Sequence, residues 1–388
     1  MKKHVFTYVT AALILGITGS AYAAEPTLEE QQAELSALKT RLAIVEKQLK
    51  TQEGKQKKTE ETIKKSKDNE LKFYGDARIR SIDSGDGYSF EQRVRLNLEK
   101  QINKDTFFRV RGIVMNENEM GTTGTDDLNN KIDNAYIQFN NLYGDKNSSL
   151  KIGRFGHNFG TTGYWSSAGS LGMYDGLEVT TGKVVSISAG FGDWGGARAP
   201  ATVTTKVSGT KLVTSSTDIS RTTLNKLEKN VFLKLGYRPS KATRLQGWHI
   251  RETNADESPV DYEVTGLGFD SKIGKNLSLA GDYSRNAAIE GDPEGKFFTL
   301  SYGNANYNKA HSYEARLYYA DVDKGNVPGT LNKSINIPCN DVKGPGLSLH
   351  YVVTEGVLAE FLTGFNMEKK STGEDADNYY RFQVSTRF

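Results

Sequence analysis

From Leu71 to Phe388 the sequence alternates apolar and polar side chains with a period of two, and this constrains the chain more than any other feature. Leu71, Phe73, Gly75, Ala77 and Ile79 share one strand face, with Lys72, Tyr74, Asp76, Arg78 and Arg80 on the other. Phe90, Gln92, Val94, Leu96 and Leu98 repeat the pattern against Glu91, Arg93, Arg95, Asn97 and Glu99, and Phe108, Val110, Gly112 and Val114 form a third apolar face. The last residues end the same way, with Tyr380, Phe382, Val384, Thr386 and Phe388 opposing Arg381, Gln383, Ser385 and Arg387. Strands with one greasy and one wet face build either a soluble sandwich or a membrane barrel.

The connections and the other end of the chain separate these two outcomes. Short turns, such as those at 103–105, 143–145, 181–183, 239–241 and 354–356, alternate with long polar segments, among them those near 118–128, 156–174, 193–228, 252–259, 286–295, 321–346 and 368–378. Short turns at one end and long loops at the other are the layout of a transmembrane barrel, and the count predicts about sixteen strands. Lys241 to Arg251 and Tyr262 to Ser271 fit either face register. A sandwich has no need of seven polar insertions at one end.

Lys2 and Lys3, the apolar run Val5 to Ile17 and the small-x-small site Ala21-Tyr22-Ala23 predict a secretory signal over residues 1–24. The run is too short for a membrane anchor, and no other stretch approaches a transmembrane helix. An exported chain that stays in a membrane must then be a closed barrel, the other structure that satisfies every backbone group in lipid. A mean hydropathy of −0.56 with 39 Gly, 19 Tyr and 17 Phe suits that. Cys339 is alone and cannot form a disulfide within the chain. Losing Lys2 and Lys3 takes two of the 50 basic residues, against 47 acidic ones, so nucleic-acid binding has no support.

Before the strands, residues 25–70 read as a helical segment outside the membrane. Leu28, Leu35, Leu38, Leu42, Val45 and Leu49 occupy first and fourth heptad positions, which predicts a short coiled coil from about Thr27 to Lys50 with a looser basic continuation past Gly54. A single solvated helix or a spacer is the alternative. Residues 71–388 form the barrel domain.

Three local patterns carry a family resemblance: the hairpin strand Ser89 to Asn103, the segment Leu150-Lys151-Ile152-Gly153-Arg154-Phe155-Gly156, and the closing Tyr380-Arg381-Phe382-Gln383-Val384. In this order the chain resembles the general trimeric porins of the outer membrane of Gram-negative bacteria. The resemblance implies an all-β membrane protein, an antiparallel barrel of about sixteen strands whose third loop folds into the pore. It also implies an outer-membrane location, a homotrimer, and passive diffusion of ions and small hydrophilic solutes. Phe382, Val384 and Phe388 match the terminal signal read by the barrel-assembly machinery. The N-terminal helix departs from the simplest porins. It keeps a sugar- or phosphate-selective channel as the alternative, with an envelope-tethering or adhesin protein behind it, and a contact with the cell wall rests on the helix alone.

Six arginines stand on the wet faces of the first three strands: Arg78, Arg80, Arg93, Arg95, Arg109 and Arg111. Adjacent strands bring them into one patch, the expected basic wall of a pore constriction. The resemblance adds Arg154, although its parity groups it with Leu150 and Ile152 and a bulge is needed to turn it inward. Asp76, Glu91 and Glu99 on the same faces are the competing partners. The expected infolded loop, Gly156 to Tyr174, has no carboxylate before Asp175, and carries Tyr164 and Trp165, read as packing more than as a sugar track. Asp282, Glu314 and Glu360 are candidates to face the lumen from the other wall, so the expected anion preference is weak. His157, His249, His311 and His350 are scattered. No metal site, cofactor or catalytic set is expected, although Ser348 lies beside His350 on one face.

Overall fold

Period-two alternation closes into a single cylinder in the computed structural model. The structure describes residues 27–68, 71–83, 88–119, 129–167, 172–194, 205–208, 211–214, 227–253, 262–327, 331–332, 337–338 and 340–388. The expected signal segment, Cys339 and the middles of several long loops lie outside them. The chain divides after Asp68 into a helical unit and a barrel unit.

The helical unit is one element, α1 (Leu28–Asp68). It runs as helix through Gly54 and on to Asp68, so the continuation expected past Gly54 is helical. Leu35, Leu38, Leu42, Val45 and Leu49 are all exposed on it. Within the helical unit, no described residue covers this apolar seam.

The barrel strands are β1 (Leu71–Asp83), β2 (Tyr88–Asn103), β3 (Thr106–Glu119), β4 (Asn129–Asn140), β5 (Ser149–Phe155) and β6 (Tyr174–Thr181). They continue as β7 (Val185–Trp194), β8 (Leu227–Tyr237), β9 (Thr243–Glu252), β10 (Glu263–Lys272) and β11 (Leu277–Asn286). The circuit ends with β12 (Glu294–Gly303), β13 (Tyr313–Val322), β14 (Val342–Thr354), β15 (Val357–Gly364) and β16 (Tyr379–Arg387). Every neighbour is antiparallel, and β1 pairs with β16 from Asp76↔Arg387 to Asp83↔Tyr380 to close the cylinder. Closure leaves no open edge for another strand to join. At the seam the Phe388 carbonyl accepts from Gly75 N–H at 2.8 Å, and the Phe388 ring lies over Gly75 so closely that a Cβ there would come within 2.5 Å of it. Glycine is the residue that lets the terminal ring lie flat on the wall.

Outward faces are apolar around the cylinder: Phe73, Ile79, Leu96, Ile152, Leu177, Leu233, Leu267, Leu317 and Phe382 are all exposed. Exposed tyrosines gather near the two rims, with Tyr237, Tyr302, Tyr313 and Tyr351 at the short-turn end and Tyr88, Tyr319 and Tyr380 at the long-loop end. An apolar band between aromatic girdles is the surface a bilayer requires.

The two strands of ambiguous register each adopt one facing. Trp248, Ile250 and Val264 point inward and are buried, whereas Leu245, Leu267 and Phe269 point outward. Both faces of β9 and β10 carry apolar residues because a loop packs against this stretch from inside.

Candidate pore constriction

That loop begins where β5 stops. β5 is seven residues long, and after Phe155 the chain turns into the cylinder. Asn158–Phe159 pairs with Trp165–Ser166 in a small hairpin inside the lumen. At the hairpin tip the Asp282 carboxylate of β11 accepts from Thr161 N–H at 2.8 Å, Thr162 N–H at 3.0 Å and the Thr162 hydroxyl. Thr161 Oγ1 donates to the Phe269 carbonyl at 2.6 Å. Gly160 has φ +72°, and a Cβ on it would run into the Asp282 carboxylate. A buried carboxylate is tolerable because these donors satisfy it.

Aromatic packing fixes the loop's flank. Tyr164 stacks on Phe297 with centroids 4.7 Å apart, and Trp165 Nε1 donates to Ser284 Oγ at 3.2 Å. Both rings are fully buried, so neither offers a face to a sugar. His157 sits among Phe155, Phe159, Tyr174, Trp194 and Phe232. Its Nε2 lies 3.0 Å from Glu178 Oε1, which also meets Lys234 Nζ at 3.3 Å. Burial, then the Lys234 charge, push the imidazole down to about 4 against the pull of Glu178, so the ring is neutral at pH 7. A neutral ring that bonds a carboxylate through Nε2 carries its proton there.

The opposite wall is ionic. Glu91 binds both Arg78 and Arg80, and Asp76 binds Arg93 at 3.1 Å and Arg95 at 2.9 Å. Arg109 lies 3.3 Å from Glu99, and Arg111 grips Asp133 at 2.6 and 2.9 Å. Arg95 reaches Asp76 through Nε alone, so among the described residues its two terminal nitrogens make no side-chain bond. All six line a cavity of about 500 Å³ bounded across the passage by Gly156, Asn158 and Ser167 of the loop. Lys151 and Arg381 also line it, and Glu360 is its one lining carboxylate among the described residues. With the four acids that pair with the arginines, eight cations face five carboxylates, a surplus of three.

Two sequence expectations fall. Arg154 does not join the wall: no bulge turns it, it stays on the outer face with Ile152, and it bonds Asp175 at 2.5–2.6 Å. Asp175 is likewise on the outer face of β6 and is not a lumen residue of the loop. The short register Ala135↔Arg154↔Asp175 runs without irregularity, so strand parity holds.

Of the three candidate acids, Asp282 is engaged by the loop, Glu314 bonds Arg316 at 2.5 Å, and Glu360 alone lines the passage. Phe382, Val384 and Phe388 lie on the outward face of β16. Lys151, Arg381 and Asp133 complete the site without having been singled out by the sequence pattern. The first two stand on the wet side of their strands, where parity alone places them. Asp133 lies at a register shift between β3 and β4 that sequence does not announce.

Ser348 Oγ lies 3.1 Å from His350 Nε2, and His350 Nδ1 is 3.9 Å from Glu360. Ser348 is 1 % exposed, so no substrate carbonyl reaches its hydroxyl.

Closed sixteen-strand barrel, infolded loop and basic wall together define the class of structure. Salmonella typhi OmpF, solved as a complex with daunomycin, is similar over 82 % of this chain and 98 % of its own, at 12 % identity and a TM-score of 0.53. Two mutants of the Rh. blastica porin align over 82 % of this chain and all of theirs, at 11 % and 12 % identity with TM-scores of 0.48 and 0.49. No family model matches the sequence, and no curated protein matches it. The chain therefore has the fold of a sixteen-stranded porin barrel.

Proposed function

We propose that this chain is an outer-membrane porin, a water-filled channel for ions and small hydrophilic solutes. The observation that carries the reading is the lumen itself: a polar cavity of about 500 Å³ beside an infolded loop, within a cylinder whose outer face is apolar. Its cation surplus favours anions weakly, because clustered like charges in a confined passage concentrate counter-ions. The wall's arginines are largely paired, which keeps the preference modest.

Export by the N-terminal signal, insertion through the assembly machinery by way of Phe382, Val384 and Phe388, and a periplasmic α1 belong to the same reading. So does a homotrimer: the exposed leucine seam of α1 suits association with copies of itself, and the number three follows the porin resemblance. Outer-membrane lipid is the remaining partner. The Ser348–His350 contact has no catalytic role in this reading.

Purified protein in planar bilayers should give stepwise, ohmic conductance. Silence from barrels confirmed as folded overturns the reading. Block by one sugar at micromolar concentration replaces it with the substrate-selective alternative. Native mass measurement in detergent tests the trimer separately.

A further inference from the structure

Below the basic wall the lumen does not open straight to the short-turn end. The turn 304–312, between β12 and β13, is the longest of the seven short connections. It is braced within itself by Asn306 N–H to Ser312 Oγ at 2.9 Å, and against β14 by His311 N–H to the Val352 carbonyl at 2.7 Å. From there it crosses under β14 and β15. The Tyr307 carbonyl accepts from Gly356 N–H at 2.8 Å, and the Tyr307 hydroxyl lies 2.8 Å from Ser385 Oγ on β16. The Arg387 guanidinium stacks on the Tyr307 ring at 3.9 Å. Such stacking is the geometry of a cation–π contact.

Tyr307 and Arg387 thereby bound a second cavity of about 540 Å³, which shares Arg93, Arg95, Arg109 and Arg111 with the first. Five arginines line this lower chamber, and among the described residues Asp76 and Glu360 are its only lining carboxylates. Arg387 makes no salt bridge with any described residue; its charge is held over an aromatic face, which orients the guanidinium without neutralising it. A cation so placed at the mouth meets each solute before or after the basic wall, and a planar fork suits carboxylates and phosphates alike.

We propose that Tyr307 and Arg387 form a second selectivity station for small carboxylate- or phosphate-bearing anions, at the short-turn mouth and in series with the basic wall. The proposal rests on the channel reading. Two stations at unequal depths also make the passage asymmetric along its axis.

The test uses the full mature chain in planar bilayers at low salt, with acetate, succinate and inorganic phosphate as probes. Arg387→Gln should lower the anion-to-cation permeability ratio about twofold, the effect of one nearby unit charge in water. Tyr307→Ala, which leaves β16 intact, should raise conductance and weaken current rectification. Unchanged selectivity, conductance and rectification in both variants overturns the proposal while leaving the channel reading standing. Should the unmodified barrel prove silent, charged thiol reagents decide it instead. Tyr307→Cys in a Cys339→Ser background should react faster with an anionic methanethiosulfonate than with a cationic one. Equal or reversed rates overturn the station. Loss of the rate difference for phosphate but not for acetate competitors identifies phosphate as the better ligand, and the converse identifies carboxylates.

Discussion

The wall formed by β1–β3 and β16 and the wall formed by β6–β11 obey the same alternation, yet their inward faces have opposite chemistry. On the first, inward positions are arginines and carboxylates that pair with one another around a polar cavity. On the second they include Trp194, Phe232 and Trp248, whose rings pack against Phe159 of the infolded loop. The difference shows that "inward" has no fixed polarity in this cylinder. What an inward residue touches decides its type, and a loop brought from between β5 and β6 supplies a dry core to half of the lumen. The ionic half can then be narrow without being blocked, because the loop lies against the other side.

The comparison breaks first at Asp282, which joins the loop to the dry wall. Asp282→Ala removes the acceptor for three donors of Thr161 and Thr162. Losing charge-assisted bonds of this kind costs about 2 kcal/mol, which corresponds to roughly thirtyfold faster amide exchange at Thr161 and Thr162. Hydrogen exchange on folded barrels measures it. Single-channel current should become noisy as the loop enters the passage, and unchanged exchange would show that aromatic packing alone holds the loop.

The ionic wall is tested by Arg93→Ala together with Arg95→Ala. A unit charge about 5–10 Å from an ion contributes roughly 0.4–0.8 kcal/mol at the dielectric of water. Removing two, and freeing Asp76, should shift the permeability ratio several-fold toward cations. The reversal potential across a salt gradient reads it. Arg154→Ala, on the outer face, is the matched control and should leave that potential where it is; a shift equal to the double variant's would return Arg154 to the pore.

The smallest effect is acid-dependent and sharpens the dry side. His157 binds a proton only near pH 4 in the fold but near 6.5 when exposed, so the unfolded or released loop takes up the proton first. Loop stability is therefore complete above about pH 6.5 and is lost as pH falls toward about 4. Exchange of residues 157–167 should quicken over that window, and His157→Phe should flatten the dependence. An identical profile in the variant would assign the acid response to carboxylates elsewhere.

Much of this barrel is legible in the sequence. Alternation decides which side of each strand is wet, because successive side chains must point to opposite faces, and that alone sets the six arginines beside one another. It also keeps Arg154 out of the lumen, and the exception to parity that the resemblance implied does not occur. Turn spacing sets the strand number, since each short and each long connection reverses the chain once. Sequence could not decide β9 and β10, whose two faces are both apolar, because the partner of the inner face is a loop about a hundred residues away. Nor could it say that Asp282 would hold that loop rather than oppose the basic wall, or that Tyr307 would reach β16. Those pairings join positions distant in the chain, and only the closed cylinder brings them within hydrogen-bonding range.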